Sequence, residues 1–146
     1  MYKLLSVMLL LAATWPALAD ETTYRKHIRP VWEDKCERCH GASAPDYANF
    51  MKNPRQYELD DKGPRMDSYE SLLFFVKGPE AGLLMLRLDD GGRDGQPGNM
   101  YRHLGRKEER KENLALFKKW IGEEAWILKK TSDITQEDLQ RITAKE

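Results

Sequence analysis

Five consecutive residues, Cys36-Glu37-Arg38-Cys39-His40, restrict this chain more than any other stretch. They form a C-x-x-C-H run, the pattern that marks covalent attachment of a c-type haem. On a helical turn Cys36 and Cys39 lie three apart on one face, and His40 comes four after Cys36. Two thiols so placed can form thioethers to the two vinyl groups of a porphyrin, while the neighbouring imidazole reaches the iron as its proximal ligand. The competing chemistries fit less well. A thioredoxin-like dithiol expects a βαβ surrounding. A structural zinc site expects two separated ligand pairs, and the chain has only these two cysteines. A plain disulfide gives no reason for His40 to follow. The expected cofactor is therefore one haem c bound through Cys36 and Cys39, with His40 on the iron.

The start of the chain agrees with that chemistry. Residues 1–19 read as a secretory signal: Lys3 supplies the charged region, residues 4–13 the apolar run, and Ala17-Leu18-Ala19 the small-residue cleavage site. The apolar run is shorter than the roughly 20 residues a bilayer span needs, and Trp15 and Pro16 interrupt its continuation. Cleavage before Asp20 would release an exported chain with no membrane span, residues 20–146, of a size that suits one domain around one core. With Lys3 removed, the 24 basic and 24 acidic residues become a formal charge of −1 with neutral histidines. That balance points to neither nucleic acid nor an anionic membrane as a partner.

Hydrophobic spacing places helices along the rest. Tyr24, Ile28, Val31 and Trp32 make one apolar stripe leading into the Cys36 turn, with Pro30 positioned to split the stretch and Gly41 to end it. Residues 42–65 carry three prolines among polar residues and read as loop, with at most a short helix near residues 47–51. A helix is expected over residues 68–76, capped by Asp67 or Ser68, and another over residues 79–88, started by Pro79. Four glycines and a proline make residues 89–99 a loop that delivers Met100. Residues 107–128 form the longest helical pattern, through Leu114, Phe117 and Ile121 with Leu116 and Trp120 beside them, and Gly122 as a place to break or bend. Residues 135–142 are expected to form a last short helix or a tail, with Thr135 as its cap.

A six-coordinate iron needs a second axial ligand, for which methionine and histidine are the candidates. The exported chain offers Met51, Met66, Met85, Met100, His27 and His103. Met85 lies in a leucine-rich helix and reads as core filling. Met100 follows Gly95-Gln96-Pro97-Gly98-Asn99, a turn able to present sulfur from a loop, and is the preferred ligand. His103 is its rival; bis-histidine ligation would lower the reduction potential, whereas a thioether would raise it.

With these residues in place the chain resembles the class I c-type cytochromes, specifically the small monohaem cytochrome c domains of exported bacterial proteins. The likeness runs from His27-Ile28-Arg29-Pro30-Val31-Trp32 through Cys36-Glu37-Arg38-Cys39-His40-Gly41 and residues 78–88 to Gly98-Asn99-Met100 and the Trp120-Ile121-Gly122 stretch. In many such domains a proline directly follows the ligand methionine, a place taken here by Tyr101. The resemblance implies an all-α, cytochrome c-like fold. First and last helices would cross beside the haem, with Trp32, Phe117 and Trp120 among the core aromatics. It also implies a periplasmic electron carrier whose His40- and Met100-ligated iron alternates between Fe(II) and Fe(III). Unidentified redox proteins would then dock at the haem edge among Lys35, Glu37, Arg38, Arg102 and Arg106. Two alternatives stand beside this. One is a haem sensor or peroxidase-like enzyme with an open or labile sixth site near Tyr101, Arg102 and His103; the other is a haem-bearing subunit of a larger redox complex.

Overall fold

The computed structural model describes residues 21–146, so the expected signal and its cleavage point lie outside the described residues. Among the described residues all regular structure is helical, and no helix is long and apolar enough to cross a membrane.

The chain opens with a π-helical turn, Tyr24–Ile28, whose N-terminal Thr23 side chain accepts from the Lys26 N–H. Helix α1 (Arg29–Lys35) continues from it with Pro30 in its first turn, where a missing N–H costs no hydrogen bond. The stretch is split near Pro30, as expected, and a further brief interruption at Cys36 separates α1 from α2 (Glu37–His40). Residues 42–65 hold more order than their prolines suggest. Asp46 caps α3 (Tyr47–Phe50), and Pro54 starts α4 (Pro54–Leu59), a helix the sequence reading left as loop. Proline at a first helical position initiates as readily as proline elsewhere disrupts.

Of the two caps expected, Ser68 is the one used, and it forms a reciprocal cap with Ser71 on α5 (Tyr69–Val76). The following helix begins later than expected: α6 runs Leu83–Leu88 because Gly82 takes the left-handed conformation at φ 80°, which belongs to the preceding turn. A 3₁₀ turn, Tyr101–Leu104, closes the loop after α6. The longest helix, α7 (Lys107–Ile121), stops at Gly122, whose φ of 113° cannot continue a helix. The expected extension to residue 128 is instead a 3₁₀ turn, Glu123–Ala125, and a connecting segment. Thr135 caps α8 (Gln136–Gln140) through a reciprocal bond with Asp138.

The core forms where the first turns meet α7. Ile28, Leu72, Val76, Met85, Phe117 and Trp120 are essentially inaccessible, and each such side chain contributes roughly 1.5–3 kcal/mol through removal from water. The Tyr24 ring lies 5.5 Å from Tyr69 and 6.3 Å from Trp120. The Met85 sulfur accepts from the Ile127 N–H at 3.1 Å, which fits its expected place in the core.

Residues 142–146 return across this junction. Thr143 and Ala144 donate their N–H groups to the Ile121 and Trp120 carbonyls, and Trp120 Nε1 donates to the Lys145 carbonyl at 2.8 Å. The Lys145 and Glu146 carbonyls in turn accept from the N–H groups of Tyr24 and Arg25. Donors of a first helical turn, which have no partner within their own helix, are thus satisfied by the far end of the sequence.

Candidate haem centre

Backbone hydrogen bonds from Cys39 N and His40 N to the Cys36 carbonyl, at 3.1 and 3.0 Å, wind the motif into one turn. The two cysteines are partly exposed and are not joined to each other as a disulfide. Burial of Cys36, with Cys39 and Asp34 adding to it, pushes its thiol pKa up to about 12. A thiol raised in this way stays protonated at ordinary pH, unlike the thiolate of a redox-active dithiol.

The segment before Met66 fastens this turn. Gly63 N–H donates to the Cys39 carbonyl at 3.0 Å and Met66 N–H to the His40 carbonyl at 2.9 Å. His40 Nδ1 lies 2.8 Å from the Pro64 carbonyl, so Nδ1 carries the proton and donates, leaving Nε2 as the nitrogen for a metal. Gly63 packs directly on the imidazole: a Cβ there would lie 2.1 Å from His40 Cε1. Burial lowers the His40 pKa, with the Pro64 bond opposing and nearby His103 adding to the effect, which favours the neutral imidazole that metals take. Neither Gly63 nor Pro64 was singled out in the sequence; the Gly-Pro pair was legible only as a turn.

The two sulfurs and His40 face a cavity of about 590 Å³, within the roughly 300–1,000 Å³ usual for cofactor pockets. Its apolar walls include Leu72, Phe75, Leu88, Leu104 and Phe117. Trp32 lines it too, and its indole N–H is buried without an acceptor among the described residues. Two thiols on one turn, an imidazole with Nε2 available, apolar walls and an orphaned donor together fit a covalently held haem.

Met100 and His103 line the same cavity. Met100 is set by its backbone, whose N–H donates to the Arg87 carbonyl at 2.9 Å, while Gly98 N–H donates to the Asp89 carbonyl. Gly98 is pressed against the end of α6, where a Cβ would come within 2.3 Å of the Arg87 oxygen. Asp89 is itself buried. Burial alone would raise its pKa, but donation from Trp126 Nε1 and the N–H groups of Gly91, Gly92 and Arg93 outweighs that and lowers it. Beyond Met100 the turn is clamped to α7: Asn113 Nδ2 donates to the Leu104 carbonyl at 2.7 Å, Arg110 Nε donates to the Gly105 carbonyl, and the Arg110 guanidinium covers the Tyr101 ring. These α7 contacts have no sequence signature, because each joins a polar side chain to a distant carbonyl or ring.

The remaining candidates are placed less suitably. Met66 also lines the cavity, but its backbone is tied to the proximal turn. Met51 lies at the end of α3, 53% exposed. His27 Nδ1 accepts from the Thr23 N–H and does not line the cavity. Of the charges expected to guide docking, Lys35 is occupied by ion pairs with Asp34 and Glu109.

An all-α chain wrapped around a haem-sized cavity, with C-x-x-C-H on one wall, is a cytochrome c-like fold. The family model described as PccH cytochrome c matches residues 23–146, and this chain belongs to that family. Among solved structures, the monohaem cytochrome PccH from Geobacter sulfurreducens is 48% identical and superposes with a TM-score of 0.79, over 86% of this chain and 99% of that one. No curated protein matches at comparable significance. The chain is a small monohaem c-type cytochrome; its family implies a covalently bound haem c and supports electron carriage over catalysis.

Proposed function

We propose that this protein is an exported, periplasmic electron carrier holding haem c through Cys36 and Cys39, with His40 Nε2 and the Met100 sulfur on the iron. The observation that carries the reading is the single cavity onto which both cysteines, His40 and Met100 open. The bound group supplies one-electron exchange between ferrous and ferric iron. The chain's own residues then keep that exchange cheap in reorganisation. Pro64 fixes the proton of His40 on Nδ1 and so orients the ring, as outer-shell partners of metal-bound histidines do. The carbonyl of Arg87 fixes Met100. Leu72, Phe75, Leu104 and Phe117 keep water from the cavity walls, and a low-dielectric surrounding tunes the potential.

Optical spectra of the purified protein, oxidised and reduced, with a pyridine haemochrome assay and mass determination, test this directly. The expected result is one covalent haem on a chain beginning at Asp20, a far-red thioether-to-ferric-iron band, and negligible carbon monoxide binding at ordinary rates. Colourless protein with two free thiols would overturn the reading. Fast carbon monoxide binding without the far-red band would favour the open-site alternative.

A further inference from the structure

We propose that His103 is a reserve sixth ligand, carried on the same face of one 3₁₀ turn as Met100 and able to take the iron when the thioether is lost. This rests on the reading of Met100 as the resident ligand and adds an exchange to it.

The geometry begins with the turn. Met100 caps it and His103 N–H donates to the Met100 carbonyl at 2.9 Å, an i to i+3 bond. In a 3₁₀ turn the side chains at i and i+3 eclipse one another. Met100 and His103 therefore project from one face, and both line the cavity that holds His40. The Asn113 and Arg110 clamps fix the end of this turn, so loss of the sulfur leaves His103 at the cavity mouth. Among the histidines of the described residues, His40 and His103 line this cavity while His27 does not.

One contact holds the reserve ligand back. Arg102 Nε donates to His103 Nε2 at 3.1 Å, so that nitrogen's lone pair is occupied. In the exchange the bond from iron to the Met100 sulfur breaks, the Arg102 hydrogen bond opens, and the freed imidazole lone pair forms the new bond to iron. No electron is gained or lost and no co-reactant is needed. The site stays six-coordinate, so losing the methionine converts the carrier to a lower-potential one and does not open it to small ligands.

The test uses holoprotein with covalent haem, in imidazole-free buffer: wild type, Met100→Ala, Met100→Leu, His103→Ala, and Met100→Ala combined with His103→Ala. Haemochrome content verifies equal loading, electron paramagnetic resonance reads spin state, and stopped flow reads carbon monoxide binding. Both Met100 variants should be low-spin without the far-red band, and should bind carbon monoxide at least tenfold more slowly than the high-spin double variant. Added imidazole should return the double variant to the low-spin state, and His103→Ala alone should keep the wild-type spectrum. A Met100→Leu protein as high-spin as the double variant would overturn the inference even if Met100→Ala failed to accumulate. A wild type lacking the far-red band, and altered by His103→Ala, would instead overturn the Met100 reading and the reserve role with it.

Discussion

The two walls of the cavity are built by opposite strategies. On the proximal wall the candidate ligand's own ring is held: Pro64 accepts from His40 Nδ1, Gly63 lies against the imidazole, and Met66 ties the carbonyl of the same residue. On the distal wall only the backbone around Met100 is held, by Arg87 before the turn and by Arg110 and Asn113 after it. A ring gripped at its far nitrogen has one orientation, whereas a thioether on a fixed backbone keeps its side-chain torsions. Damage to the first wall should therefore cost the holoprotein, and damage to the second should change its spectrum and potential.

The sharpest test of this contrast is His40→Ala, for which the yield of covalent haem protein, measured by haemochrome assay, should fall to background. Gly63→Ala comes next. Its Cβ cannot coexist with His40 Cε1 at 2.1 Å, so the ring must move and the Pro64 bond must break. Denaturant unfolding of the holoprotein should then show a loss of about 1–3 kcal/mol. Gly98→Ala probes the other wall. Crowding against the Arg87 and Leu86 carbonyls should displace Met100 and weaken the far-red band, with haem content retained and stability lowered by about 1 kcal/mol. The smallest effect should come from a group remote from both walls. Lys129, helped by Thr135, lowers the Asp138 pKa to about 2. Its contribution to stability is complete above the ordinary carboxylate pKa near 4 and is lost as pH falls toward 2. Carboxyl-carbon resonance titration should place that midpoint near 2, with Lys129→Ala moving it upward.

The contrast also explains what could be read from the sequence. The candidate proximal set is local, five residues on one turn, so its spacing alone points to it. The stripe through Ile28 and Trp32 and the row through Leu114, Phe117 and Ile121 predicted the core, because burial leaves a period in the sequence. Gly63, Pro64, Arg110 and Asn113 act across 5 to 24 positions through backbone atoms, for which no residue type is diagnostic. Pro54 predicts a break where α4 begins, and Pro79 predicts a start that α6 makes only at Leu83. The same residue type signals either, and the neighbouring backbone decides.

The bonds from Lys145 and Glu146 back to Tyr24 and Arg25 carry a consequence for how the molecule is made. A chain synthesised from its beginning cannot satisfy those two amides, or the Trp120 indole, until residues 145 and 146 arrive. Contacts this distant in sequence are slow to form. The Cys36–His40 turn is thus complete as sequence long before the first helical turn preceding it is held in place.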